Sequence, residues 1–197
     1  MTHVVFDIGG VLVDWQPHLA WADDLGEDGA FAFMERTGFR AKNARADAGE
    51  RFADLAREID AHDDARLFAE YVDRYPRTVQ NRIDGTWHVL NHLRDQGTPV
   101  HAITNWSHET WPRGLQAQPQ LGEVFETLVV SGQERVMKPE RRIFELFCAR
   151  AGVAADACLF SDDGAYNVAG AQAAGMDGIH FTTPDALRTE LEERGVL

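Results

Sequence analysis

No stretch of this chain is apolar for long enough to cross a bilayer, which takes roughly 20 residues. Cysteine is scarce. The only two, Cys148 and Cys158, show no C-x-x-C spacing, so nothing suggests a zinc ribbon or a redox pair. Both sit in apolar stretches and read as packing residues. Basic residues are outnumbered, 19 Lys and Arg against 32 Asp and Glu, for a formal net charge of −13. That balance argues against nucleic acid or an anionic membrane as a partner. It does not bear on small anions, which respond to the local field of a pocket. Lysine is scarcest of all, with only Lys42 and Lys138 among the 19 basic residues. Where arginine is the habitual cation, a lysine points to a need for compact charge. The first apolar run is short and broken by Asp7, unlike a secretory leader. The expected compartment is the reducing cytoplasm.

What is present suits a folded globular protein. The chain has 197 residues, 44% apolar and 26% charged, enough for one domain or a core with a small insertion. Short β-rich runs recur at His3 to Ile8, Val100 to Ile103, Thr127 to Val130, Ala157 to Phe160 and Gly178 to Phe181. Helical patterns lie between them, at Thr86 to Asp95, Glu140 to Ala151, Tyr166 to Ala174 and Pro184 to Arg194. This alternation predicts an α/β fold with a doubly wound parallel sheet. From about His18 to Tyr75 no strand is legible. Stretches such as RFADLAREID and ARLFAEYVDRY instead repeat apolar residues at helical spacing. We therefore expect a core of residues 1–16 plus 80–197 and a helical insertion over 17–79.

Ligands of open parallel sheets bind beyond the carboxyl ends of the strands. Asp7 follows the first strand and Thr104-Asn105 the second. Lys138-Pro139 leads into a helix after the third, and Asp162-Asp163-Gly164 follows the fourth. The joint placement matters more than any one residue, because scattered polar groups have no reason to fall at every strand end. The set suits phosphoryl transfer. Asp7 is placed to attack phosphorus and form an aspartyl-phosphate. Mg²⁺ held by Asp7 and Asp163 would neutralise charge, since this hard cation prefers oxygen ligands. Lys138 would set a positive charge on the transferring oxygens. Thr104 and nearby backbone N–H groups would bind the others, with Gly9 and Gly10 allowing close backbone approach.

These residues resemble the haloacid dehalogenase-like (HAD) hydrolase superfamily, in particular its phosphatase branch. The resemblance rests on VVFDIGGVLVDW, HAITNW, VMKPERRIF and CLFSDDGAYNVAGAQAAGM, in that order. It covers nearly the whole chain, and TNWSHETWP and VVSGQERVMKP add to it. The resemblance implies a Rossmann-like core with a small helical cap after the first strand. It implies that Asp7 is nucleophile and metal ligand, and that the Gly9 carbonyl coordinates Mg²⁺. Thr104 and Asn105 then match the phosphate-binding pair, with Gly10 beside them, and Lys138 matches the clamping lysine. Asp163 aligns with the metal-binding acid, Asp162 with a second carboxylate, and Asn167 with a position where many members carry a further acid.

The sequence departs from the family at Gly9, where most of its phosphatases have an Asp that acts as general acid and then base. Such help is typically worth ~10²–10⁴-fold. Similar phosphatases of the D-x-G-[GN]-V type act on sugar 1-phosphates, whose anomeric oxygen needs less protonation. Asp14 and His18 are the nearest substitutes in sequence. The expected partner is a small phosphorylated metabolite; the sequence is silent on oligomeric state. Two other functions stay open. One is a 2-haloacid dehalogenase, in which the same Asp attacks carbon without a metal. Family dehalogenases resemble this chain at Gly9 but carry Tyr-Gly-Thr there and Ser/Asn in the acidic motif, against Gly9-Gly10-Val11 and two Asp here. The other is a regulatory protein that keeps only the fold.

Several features have plainer readings. His88 and His92 share a helix face without a third ligand and read as surface or packing residues. Trp106 and Trp111 suit packing and pocket lining equally. The acidic stretch Asp23 to Asp28 reads as a solvated face at a helix boundary.

Overall fold

A computed structural model describes residues 2–197. Seven strands run in chain order as β1 His3–Phe6, β2 Val13–Asp14, β3 Asn81–Arg82, β4 Val100–Thr104, β5 Leu128–Val130, β6 Cys158–Asp162 and β7 Asp177–His180. Five helices lie between β2 and β3: α1 Ala22–Arg36, α2 Phe39–Asp47, α3 Phe52–Ala56, α4 His62–Ala69 and α5 Tyr71–Arg74. The rest are α6 Asp84–Asp95, α7 Trp111–Ala117, α8 Ser131–Glu134, α9 Arg141–Ala151, α10 Ala165–Ala173 and α11 Pro184–Glu193.

The main sheet is wholly parallel, in the order β5-β4-β1-β6-β7. β1 is central, and the chain leaves it toward β4 on one side and β6 on the other. Its side chains alternate between two apolar layers. Val4 and Phe6 join Trp87, Leu90 and Leu93 of α6 and Leu187 and Leu191 of α11. Val5 joins Ile143, Phe144 and Phe147 of α9. A strand buried on both faces reads as an unbroken apolar run, as VVF does. Each such side chain contributes about 1.5–3 kcal/mol when fully buried. Burial on both sides fixes the register, and register fixes where β1 stops. Phe6 pairs with Ala102 of β4 and Ser161 of β6, so Asp7 emerges at the switch point between them.

The expected strands and core helices are present with their ends within two residues. β1 ends at Phe6 rather than Ile8, because the Ile8 carbonyl accepts from Val11, Leu12 and Val13 N–H and turns the chain. β2 and β3 form an antiparallel ribbon that the sequence did not announce: two residues pair with two others far along the chain. The acidic stretch starts α1, where Asp24 pairs with Arg74 and Asp23 with Arg77. His88 and His92 are exposed. Cys148 and Cys158 are free thiols, half-buried and buried. Trp106 and Trp111 are both buried and meet edge to face, with ring centroids 5.1 Å apart.

α7 and α8 press the loop after β4 into place. A Cβ on Gly114 would lie 2.5 Å from the Trp106 ring, and one on Gly132 would lie 2.4 Å from the His108 N and 2.8 Å from the Trp106 O. Gly132 N–H also donates to that Trp106 carbonyl at 3.0 Å. Gly132→Ala must therefore displace backbone. The expected loss is about 1–3 kcal/mol, read as a lower urea midpoint; an unchanged midpoint would show that this packing does not hold the loop.

Candidate active site

Asp7 sits one residue past β1 and is only 7% exposed. Its N–H donates to the Ser161 carbonyl of β6 at 2.8 Å. Its Oδ1 accepts from Ile8 N–H at 2.7 Å and from Lys138 Nζ at 2.8 Å. Among the described residues nothing donates to Oδ2, which remains free to react. Lys138 is wholly buried and holds a second carboxylate, Asp162 Oδ2, at 2.6 Å. An ammonium has three protons, so one remains. Its backbone is fixed as well: Asn105 Oδ1 accepts from Lys138 N–H at 2.8 Å and Asn105 Nδ2 donates to the Lys138 carbonyl at 3.0 Å.

Burial alone would lower the Lys138 pKa, but Asp7 and Asp162 outweigh it and hold it above the ordinary value. The lysine stays charged. Burial pushes the Asp7 carboxyl up to about 8; Asp162 adds to this and Lys138 opposes it. Asp162 is saturated, because its other oxygen accepts from Gly164 N–H at 2.8 Å and Asn167 Nδ2 at 2.9 Å. Asp163 is exposed, and its carboxylate lies against Gly10, where a Cβ would come within 2.4 Å of Oδ2. Gly10 also has φ +77°, which favours glycine.

Carboxylate oxygens of Asp7, Asp162 and Asp163 lie within 4.8 Å of one another. Three carboxylates against the one ammonium of Lys138 leave a formal excess of two negative charges. That charge, and the all-oxygen donor set, fit a divalent hard cation. With Asp162 engaged elsewhere, the available donors are the Asp7 carboxylate, Asp163 and the Gly9 carbonyl, which accepts no hydrogen bond among the described residues. Thr104 ends β4 with its Oγ1 buried and unpartnered, and the Asn167 Oδ1 is likewise unpartnered. A buried hydroxyl without a partner is costly unless a ligand supplies one.

The structure thus brings Asp7, Thr104, Asn105, Lys138, Asp162, Asp163 and Asn167 to one sheet edge. Two expectations need correction. The Gly10 N–H does not face a phosphate; it donates to the Val13 carbonyl at 2.8 Å and closes the turn. Gly10 instead makes room for Asp163. The Asn105 side chain holds Lys138, leaving only its backbone N–H for an anion. Asp14 accepts from Gln16, and His18 stacks on Phe31 with centroids 4.4 Å apart. Neither belongs to the carboxylate cluster. Two surface hollows of about 230 and 360 Å³ lie beside Arg94 and Glu123, near the start of β4, and contain none of these groups.

Sequence reasoning missed two residues. Ser131, just past β5, accepts from Trp106 N–H at 2.9 Å and donates to the Asp47 carbonyl at 2.6 Å. Its place at a strand end was a usable signal. Asp47, at the end of α2, has a carboxyl pushed up to about 7 by burial, with the Ser107 backbone and Lys138 pulling the other way. Nothing in KNARAD marks it.

Removing Lys138 would leave Asp7 and Asp162 facing one another without a counter-charge. Lys138→Met is expected to cost about 3–5 kcal/mol in urea unfolding at neutral pH. A loss under about 1 kcal/mol, the range of an exposed pair, would show that the bridge is not structural.

The comparisons with known proteins agree with this geometry. A sesquiterpene phosphatase of Aspergillus oryzae is 27% identical over 192 residues, covering 96% of this chain and 93% of the relative. A HAD family enzyme of Bacteroides thetaiotaomicron, solved with magnesium and inorganic phosphate, superposes with a TM-score of 0.71 at 19% identity, covering 93% of this chain and 95% of that one. The L-2-haloacid dehalogenase of Xanthobacter autotrophicus, solved with chloropropionic acid covalently bound, gives 0.66 at 19% identity, covering all of this chain and 84% of that one. The profile of the haloacid dehalogenase-like hydrolases matches residues 1–175, and the chain belongs to that family of hydrolases.

Proposed function

We propose that the chain is a Mg²⁺-dependent phosphatase of a small phosphorylated metabolite, working through an aspartyl-phosphate on Asp7. The observation that carries this reading is the acidic excess around Asp7. A dehalogenase needs no metal at its nucleophile, whereas three clustered carboxylates that share a single ammonium favour one. The phosphatase relative supports the same choice.

Asp7 Oδ2 attacks phosphorus while Lys138 and the Ile8 N–H orient the carboxylate through Oδ1. The remaining Lys138 proton, the Thr104 hydroxyl and the Asn105 N–H hold the transferring oxygens, in geometry set before the substrate arrives. Asp7, Asp163 and the Gly9 carbonyl would hold Mg²⁺, which supplies charge neutralisation when bound. Asp162 and Asn167 keep Lys138 and the acidic turn in position. The helices over residues 17–79 would act as the cap that selects the substrate. A sugar 1-phosphate suits Gly9, because an anomeric oxygen leaves more readily than an alkoxide. The cytoplasm is the expected compartment, and no helix of the described residues is long and apolar enough to cross a membrane.

A screen of phosphorylated metabolites should show Mg²⁺-dependent phosphate release that EDTA abolishes. Asp7→Asn should lose at least ~10³-fold in kcat, the scale expected when a nucleophile is removed, with its unfolding curve otherwise intact. Asp163→Asn should raise the Mg²⁺ needed for half-maximal rate. Halide release from 2-chloropropionate without metal, together with inertness toward every phosphate ester, would reverse the choice.

A further inference from the structure

Gly9 leaves the site without the proton donor that an ordinary alkyl phosphate requires. The space is open, since no heavy atom lies within 4 Å of a Cβ built there and its φ is not left-handed. The helical segment brings a different carboxylate to the same edge. Residues 47–52 are seated on the core loops by three contacts. Ser131 Oγ donates to the Asp47 carbonyl at 2.6 Å. Phe52 N–H donates to Glu109 Oε2 at 2.7 Å. Gly49, at φ +103°, fits so closely that a Cβ would lie 2.9 Å from Arg135 Cγ and 3.3 Å from the Gly132 carbonyl. These place Asp47 on the loop that continues from Thr104-Asn105.

The surroundings of its carboxylate are specific. Asn43 Nδ2 donates to Oδ2 at 2.9 Å, and the Ser107 backbone hydrogen-bonds the group. The charge of Lys138 reaches it from the core. Tyr71 and Tyr75 face it from the cap interior, their phenols held neutral by burial with Asp47 adding to the effect. Among the described residues no arginine or lysine makes an ion pair with the half-buried Asp47, whereas the buried Asp7 and Asp162 share Lys138. Its carboxyl, pushed up to about 7, is poised to hold or release a proton near neutrality.

We propose that Asp47 is the general acid and base of this enzyme, protonating the leaving oxygen and then deprotonating water. The assignment rests on the phosphatase reading. In the first step Asp7 Oδ2 bonds to phosphorus, the ester P–O bond breaks, and the Asp47 proton passes to the departing alkoxide. In the second, water bonds to phosphorus, the Asp7–phosphorus bond breaks, and the water proton passes to the Asp47 carboxylate. The group ends as it began. The cap thus contributes to the chemistry as well as to substrate choice.

The test compares kcat/KM for a primary alkyl phosphate with kcat/KM for p-nitrophenyl phosphate, both with Mg²⁺. This ratio covers steps only through release of the leaving group, and nitrophenolate needs no proton. Asp47→Asn should lower the alkyl value by ~10²–10⁴-fold and leave the nitrophenyl value near wild type. Adding Gly9→Asp in that background should restore much of the alkyl value, which a merely misfolded protein would not show. In the wild type, kcat/KM for the alkyl ester should fall above about pH 7 relative to the nitrophenyl ester. Equal losses on both esters together with a wild-type ratio flat in pH, or no loss on the alkyl ester, would overturn the assignment and leave the phosphatase standing. Wild-type protein inert toward every phosphate ester of the screen would overturn both.

Discussion

A fully buried, charged lysine that grips two carboxylates at once is the constraint on which the site depends. Desolvating an ion costs several kcal/mol, so Lys138 is tolerable only because Asp7 and Asp162 stand at 2.8 and 2.6 Å from it. The two acids are there because β1 and β6 are paired, in a register that burial on both faces leaves no freedom to slip. Asn105 fixes the lysine from the β4 side through its backbone. Three adjacent strands thus meet at one lysine, two of them at its ammonium and one at its backbone. The bridge also divides the oxygens. Asp7 Oδ1 is engaged and Oδ2 is not; Asp162 is saturated and Asp163 is not. That division separates the groups that hold the site from those available to react or to bind a cation.

The turn after Asp7 serves the same arrangement. Gly10 closes it through Val13 and gives way to the Asp163 carboxylate, so the stretch that delivers the nucleophile also shapes the place for the metal-binding acid. The helical segment docks on the opposite rim. Its contacts with Glu109, and with Ser131 and the Gly132 turn, join it to the segments that follow β4 and β5.

Much of this was legible beforehand, for physical reasons. Parallel strands buried on both faces announce themselves as apolar runs, and polar residues just beyond them stand out. Asp7, Thr104, Lys138 and the Asp162-Asp163 pair were all visible in this way. What was not visible depends on hydrogen bonds that only the folded chain makes. Gly10 was expected beside the phosphate, but its N–H is on Val13 and its open side takes the Asp163 carboxylate. Asn105 looked like a phosphate ligand until its side chain was found on Lys138. The β2–β3 ribbon joins residues almost seventy positions apart, with two residues on each side. Asp47 has no periodic signal, and its burial arises from the seating of residues 47–52 on distant loops.

The most direct measurement is mass spectrometry of the peptide carrying Asp7 after rapid mixing with a hydrolysed phosphate ester and Mg²⁺, acid quench and borohydride reduction. Reduction converts an aspartyl-phosphate into homoserine, so homoserine at position 7, formed only with substrate, is the predicted result. An unmodified Asp7 during active turnover, or homoserine at another acid such as Asp163, would contradict the assignment of Asp7 as the nucleophile that Lys138 holds in place.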